Sequence, residues 1–292
     1  MKISKARVAY TAFLILNLLG FATLKTIKHN PILAFLDVGQ GSSILYQDNG
    51  CQVLIDTGNF SKATKDLHVF MPSLDKDLEH VFISHLDQDH YAGLYDLTKR
   101  YAIKNIYQSY LAEPNIYLAQ TLNSLNTKQL KATDKLELCQ NEFQVLWPPA
   151  KKISDNKNEE SLVLLFRLGA YKVLFTADLG CNLEKQLLRT YPELDVDIFV
   201  TGHHGSRHSN CLSFLKAIKA KFAVTQAGKH NSYKHPHTDV RKRLAFLKIQ
   251  HLELSSLGAI FFYVESEALQ WQAILTPWQK AKQDQFLELK AW

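Results

Sequence analysis

The sequence is short of the residues that mark several simple protein classes. Its 292 residues include only 12 Gly, 8 Pro, 4 Cys and 2 Met. So little glycine and proline excludes collagen-like and low-complexity chains. The cysteines, at 51, 139, 181 and 211, form no C-x-x-C pair and no compact framework. That excludes a structural zinc knuckle and a disulfide-stapled miniprotein. They read as small core residues, with one bridge left open for a body outside the cytoplasm. Acidic residues are missing from the first thirty positions, where Lys2, Lys5, Arg7, Lys25 and Lys28 supply nearly all of the net charge of +6. The rest of the chain is close to neutral, so global charge says little about partners. No internal repeat of fixed short period is present.

What remains is apolar enough to fold. Hydrophobic residues make up 46% and charged residues 21%, which permits a sizeable core in one large domain or two small ones. Residues 8–24, VAYTAFLILNLLGFATL, carry no charge. As a helix the stretch rises about 25 Å, against a hydrocarbon core of about 30 Å, and Lys5, Arg7 and Lys25 can snorkel across the difference. The basic flank favours a cytoplasmic N-terminus. Leu19-Gly20-Phe21-Ala22-Thr23 is a poor cleavage site, so the expectation is a single membrane anchor with the body on the outer face, or a secreted body if the segment is cleaved. The divisions expected are an anchor or signal segment over 1–30, a catalytic body over 31–275 and a tail over 276–292.

From Pro31 the texture alternates. Runs at 32–38, 43–47 and 51–55 read as strands, the last two joined by Asp48-Asn49-Gly50, a strong hairpin signal. Runs at 162–168 and 171–176 flank Gly169-Ala170, a second hairpin. Residues 81–83, 195–200 and 222–226 read as further strands, and 94–101, 183–190 and 212–221 as helices. Strands gathered in both halves with interspersed helices predict two packed sheets with helices outside.

The chemistry concentrates in Ser84-His85-Leu86-Asp87-Gln88-Asp89-His90, directly after the Val81–Ile83 strand. Four metal-competent side chains follow H-x-D-x-D-H spacing, and extended alternation puts His85, Asp87 and Asp89 on one side. Imidazoles with carboxylates suit zinc, manganese or iron. An unpaired Asp178 after a mostly apolar strand, and the pair His203-His204 after Ile198-Phe199-Val200, would be costly to bury without partners.

These residues resemble the metallo-β-lactamase superfamily, whose signature is H-x-H-x-D-H, in the variant of the hydrolase-like domain of ComEC-type competence proteins. Phe35-Leu36-Asp37-Val38-Gly39-Gln40-Gly41, Leu54-Ile55-Asp56-Thr57-Gly58, Asn158-Glu159-Glu160-Ser161-Leu162-Val163, Phe175-Thr176-Ala177-Asp178-Leu179, Gly202-His203-His204-Gly205-Ser206 and Asn231-Ser232-Tyr233-Lys234-His235-Pro236 match that branch in order. Ala177 stands for a glycine, Ser42 for an acidic residue, and Lys234 for another glycine. The many-helix channel of the full competence protein is absent.

The resemblance implies an α+β fold, an αββα sandwich, here preceded by one N-terminal hydrophobic helix. It also implies two divalent metal ions, manganese or zinc with magnesium as a further option. His85 and Asp87 would serve one position and Asp89 and His90 the second. Asp178 would bridge them, and His203 or His204 would complete the set. Asp89 and His204 are the candidate catalytic residues. Asn158, Ser161, Ser206, Lys234, His235, Arg241 and Arg243 are candidates for holding substrate, while Asp37 and Asp56 read as structural.

Residues 207–250 hold ten Lys and Arg against the single acid Asp239, beside the presumed site. That concentration suits a polyanion backbone, and no base-reading code is visible. The function expected is a metal-dependent phosphodiesterase or nuclease acting on DNA without sequence preference. The alternatives are a small-substrate hydrolase and a non-catalytic DNA-binding partner.

Overall fold

The structure is a computed structural model, and it describes residues 30–60, 62–72, 74–151 and 157–274. Strands β1 (Ile32–Phe35), β2 (Ile44–Asp48), β3 (Cys51–Ile55), β4 (Asp77–Ile83), β5 (Ala102–Ser109), β6 (Thr127–Leu130), β14 (Ala259–Glu265) and β15 (Ala268–Ile274) form one sheet. Its order is β15-β14-β1-β2-β3-β4-β5-β6. The second sheet contains β7 (Lys135–Leu138), β8 (Asn141–Trp147), β9 (Val163–Leu168), β10 (Tyr171–Phe175), β11 (Ile198–Val200), β12 (Phe222–Thr225) and β13 (Gln250–Glu253), in the reverse of that numbering. Both sheets are mixed. The Asn49-Gly50 turn closes the β2–β3 hairpin with φ of 48° and 75°, the left-handed pair that a two-residue turn requires.

Period-two alternation builds the layers. In β2, Ile44 and Tyr46 face the second sheet while Leu45 turns outward; in β3, Val53 and Ile55 face inward and Leu54 outward. The inner faces meet in a core that includes Phe35, Phe82, Phe143, Phe166 and Phe175. Phe143 stacks on Phe166 at 4.8 Å between ring centres. The outer face of the first sheet packs under α1 (Lys62–Phe70), α3 (Leu94–Leu97) and α4 (Ile116–Asn123), with the short α2 (Gln88–Tyr91) at its end. The outer face of the second packs under α5 (Cys181–Thr190), α6 (Leu212–Ile218) and α7 (Thr238–Phe246). A further turn, α8 (Leu254–Leu257), leads into β14. The result is the four-layer αββα sandwich.

Two expectations need correction. The membrane-anchored localisation is not supported: among the described residues no helix is long and apolar enough to cross a membrane, and residues 8–24, with the N-terminal helix expected there, lie outside them. The cysteines are not merely core fillers. Cys51 pairs with Cys139, joining β3 to the turn between β7 and β8, and Cys181 pairs with Cys211, joining the start of α5 to the residue before α6. Their Cα separations of 5.4 and 5.5 Å come from strands and helices brought together by the fold. Cysteine spacing along the chain carries no trace of that proximity.

Candidate metal centre

Strand β4 ends at Ile83, and the following six residues turn into α2 instead of continuing extended. Asp87 takes the N-cap position, and the backbone N–H of His90 reaches the Asp87 carbonyl at 2.9 Å. Helical curvature, not strand alternation, therefore brings His90 against His85 and turns Asp89 toward His204. Close backbone approaches hold this turn. A Cβ on Gly41, at φ 133°, would lie 2.4 Å from the Asp89 carbonyl, and one on Gly93 would lie 2.0 Å from the Thr57 carbonyl. From the second sheet, Asp178 follows β10 and His203-His204 follow β11. Ala177, His203 and His204 have φ of 44°, 51° and 52°, a left-handed conformation that is costly for non-glycine residues. This accounts for the glycine usual at the position of Ala177.

The side chains divide around Asp178. On its Oδ2 side, His203 Nε2 lies at 3.5 Å and His85 Nε2 at 3.9 Å, with Asp87 Oδ2 3.5 Å from His85 Nε2. On its Oδ1 side, His90 Nε2 lies at 3.4 Å and His204 Nε2 at 3.9 Å, with Asp89 Oδ2 3.2 Å from His204 Nε2. The two histidines of the pair thus serve different oxygens of one carboxylate.

Their orientation is fixed from behind. His90 Nδ1 meets Asp56 Oδ2 at 2.6 Å, and Asp56 also accepts from the Ser84 backbone N–H and hydroxyl. His204 Nδ1 donates to the Gln226 carbonyl at 2.9 Å, which leaves its Nε2 as the outward nitrogen. Burial alone would push His90 down, but Asp56 and Asp178 outweigh it and hold His90 well above the usual imidazole range. Burial likewise opposes the charge on His204 and loses to Asp178 and Asp89. For Asp178, burial would raise the carboxyl; His90 and His204 dominate and hold it well below the usual range. The cluster therefore balances its own charge.

Whether a metal pair fits can be judged from the donors themselves. His85 Nε2 is buried and has no hydrogen-bond partner. The Nε2 atoms of His90 and His204 face each other at 3.3 Å, and a buried carboxylate lies between imidazoles on both sides. Imidazole nitrogens and carboxylates converging on one buried carboxylate are a donor set that divalent cations take, and the residues present fit two such ions. The other two cysteine-containing clusters, Cys51 with His80 and Cys139, and Cys181 with Glu184 and Cys211, have their sulfurs bound in disulfides.

A cleft of about 470 Å³ opens beside the cluster, lined in part by Asn158, Asp178, Asn182, His203, Arg207 and His208. Of the expected substrate residues, Asn158 lies on it. Ser161 is buried and its hydroxyl donates to the Asn158 carbonyl, and Ser206 is buried with its hydroxyl accepting from the His208 N–H. His235 is buried against His203 and His204, and burial followed by the charges on those rings pushes it down to about 4. Lys234 is exposed. The two arginines are otherwise engaged. Arg241 makes a two-pronged ion pair with Glu253, both contacts at 2.7 Å, and Arg243 donates to the carbonyls of Ser209 and Asn210.

Sequence reasoning missed the residues that hold the His203-His204 turn. Asn210 brackets it by accepting from the Gly202 N–H and donating to the carbonyls of Gly202 and Ser206. Glu184, fully buried, accepts from the backbone of Asn210 and Cys211. The sequence offers no signal for it, because an acid in the first turn of an amphipathic helix ordinarily faces solvent and favours the helix dipole.

The family model of the metallo-beta-lactamase superfamily matches residues 36–229. ComE operon protein 3 of Bacillus subtilis is 30% identical over 249 residues, covering 77% of this chain and 32% of that protein. Competence protein ComA of Neisseria gonorrhoeae is 30% identical over 256 residues, covering 85% of this chain and 35% of that protein. The chain thus spans about a third of the length of these relatives. Among solved structures, the metallo-beta-lactamase fold protein YhfI from Bacillus subtilis aligns with a TM-score of 0.54 at 16% identity, over 76% of this chain and 95% of that one.

Proposed function

The chain belongs to the metallo-β-lactamase superfamily, and from that premise we propose that it is a metal-dependent phosphodiesterase, most plainly a nuclease acting on DNA. The observation that carries the reading is the division of imidazoles and carboxylates around the two oxygens of Asp178. His85, Asp87 and His203 would hold one divalent ion, Asp89, His90 and His204 the other, with Asp178 shared. Two such ions, when bound, supply Lewis-acid polarisation of a phosphoryl oxygen and an acidified water.

The chain's own residues do the rest. Asp56 and the Gln226 carbonyl hold the two imidazoles in register, so that little reorganisation is left for the reaction. Arg207, on the cleft wall beside Asp178, places a permanent cation where a phosphate oxygen of the substrate would lie. The resemblance to the hydrolase-like domain of ComEC-type competence proteins, together with the name of the Neisseria gonorrhoeae relative, competence protein ComA, supports a DNA substrate and a part in its uptake or processing.

A second reading has one observation in its favour. With Arg241 paired to Glu253 and Arg243 spent on carbonyls, the basic surface is smaller than the sequence count implies. A smaller phosphoester, thioester or lactam would need no such surface. The test is hydrolysis by the full chain of labelled linear and circular DNA, and of a small chromogenic phosphodiester, in manganese, zinc or magnesium. Asp178→Ala should abolish turnover and lower bound metal from two ions to fewer while circular dichroism stays unchanged. Wild-type turnover and metal content in Asp178→Ala would overturn the shared-carboxylate reading. Turnover of the small diester alone would transfer the assignment to the second.

A further inference from the structure

Tyr233 is one of the few large aromatic residues left exposed among the described residues. The residue is 63% exposed, yet its ring has a partner. It stacks on His235 at 5.7 Å between ring centres and 23° between planes. His235 in turn meets the ring of His203 at 5.7 Å. Two ring-to-ring steps therefore separate Tyr233 from a residue of the candidate metal centre.

The loop that presents it is braced from within. Asn231 donates from its side-chain amide to the carbonyls of Gly228 and His235, and its side-chain oxygen accepts from the His235 N–H. The Lys234 N–H adds a bond to the Asn231 carbonyl, with Lys234 itself at φ 59°. The purpose of such bracing is not to bury Tyr233, since one face of the ring is covered by imidazole while most of the side chain remains in solvent. The three side-chain hydrogen bonds fix the backbone on both sides of Tyr233, so that an exposed aromatic ring is presented from a braced loop. Around it, Lys229 and Lys234 are exposed and form no ion pair among the described residues.

An exposed aromatic face flanked by unpaired cations, two ring contacts from the candidate metal centre, has a specific chemical complement. It is a nucleobase whose own face is free, attached to a phosphate backbone. Bases inside a duplex have both faces covered by their neighbours, so the complement is an unpaired base. We propose that Tyr233 is a stacking platform for a base next to the scissile phosphate, and that it directs the enzyme toward single-stranded nucleic acid. This rests on the phosphodiesterase reading and adds the strand state of the substrate to it. Sequence independence is preserved, because every base presents a π-face.

The experiment compares wild type, Tyr233→Ala and Tyr233→Trp on a single-stranded oligonucleotide, on the same strand annealed to its complement, and on a strand made abasic at one position after another. Tyr233→Ala should raise KM on the single strand about ten-fold with kcat nearly retained, the loss expected for one stacked base. Tyr233→Trp should cleave like wild type. At one abasic position the wild-type KM should rise to meet that of Tyr233→Ala, because the ring then has nothing to stack on. Equal losses on single strand and duplex, or a Trp variant as poor as the Ala variant, would overturn the proposal. A binding measurement separates it from the reaction it rests on: an oligonucleotide carrying 2-aminopurine should be quenched by wild type and not by Tyr233→Ala in the presence of chelator. Cleavage without any quenching sinks the stacking role and leaves the hydrolase standing. Quenching without cleavage does the opposite.

Discussion

Replacing Glu184 by Gln should change the pH dependence of stability in a calculable way. Glu184 is fully buried in the first turn of α5, where it accepts from the backbone N–H groups of Asn210 and Cys211, and Arg243 is the charged group that bears on it. Burial outweighs these favourable contacts and pushes its carboxyl from 4.5 up to about 7. The folded state then binds a proton more tightly than the unfolded state. The contribution is fully present below about pH 4.5 and lost as pH rises through about 7, so stability falls with rising pH across that window. A displacement of that size corresponds to about 3 kcal/mol in all, of which about 2.5 kcal/mol falls between pH 5 and 8.

Urea unfolding of wild type and Glu184→Gln, both in chelator, isolates the effect, since every other titrating group is common to the two proteins. Glutamine keeps one acceptor and leaves the other N–H unmet, so the variant should be offset by about 1–3 kcal/mol at low pH. The gap should then close, or reverse, by pH 8. Curves that stay parallel from pH 5 to 8 would show that Glu184 is ionised throughout, and the burial argument would fail.

Two other outcomes are expected. Asp56→Ala removes the group that orients His90, so metal affinity measured against a chromophoric chelator should fall about 10–100-fold although no donor to the metal has been lost; undiminished affinity would mean that packing alone holds the ring. Arg241, Lys242 and Arg243 changed together to Ala should flatten the salt dependence of DNA binding by no more than about one unit on a log–log plot, because only Lys242 is unengaged, whereas Arg207, Lys229 and Lys234 changed together should flatten it by about 2–3. The reverse ranking would place the phosphate contacts on α7.

The sandwich was legible because its signals are local. Asn49-Gly50 between two β-rich runs can form little but a tight hairpin, and the alternation in residues 44–55 sorts side chains between two apolar layers. The clustering of metal-competent side chains from His85 to His90 was legible for the same reason, as was the cost of burying Asp178 unpaired. The pairing of β14 with β1, both disulfides, and the assignment of His203 and His204 to different oxygens of Asp178 were not. Each depends on residues far apart in the chain, or on left-handed backbone at His203 and His204 that no propensity of histidine announces. The basic segment shows the converse error. Counting charges over residues 207–250 cannot reveal that Glu253, just beyond the window, neutralises Arg241.

The place of β14 has a consequence for how the chain is made. The strand that first leaves the ribosome among the described elements, β1, is paired on one side by β2 at once, but its other edge is covered only by Ala259–Glu265. Until more than two hundred further residues have been synthesised, Ile32–Phe35 offers an open row of N–H and C=O groups beside an apolar face, the geometry that recruits other chains. A nascent chain stalled before β14 is thus a seed for aggregation, though it already holds every residue of the candidate metal centre. Completion of the fold and assembly of its chemistry are separate events, and the last to arrive is the cover, not the site.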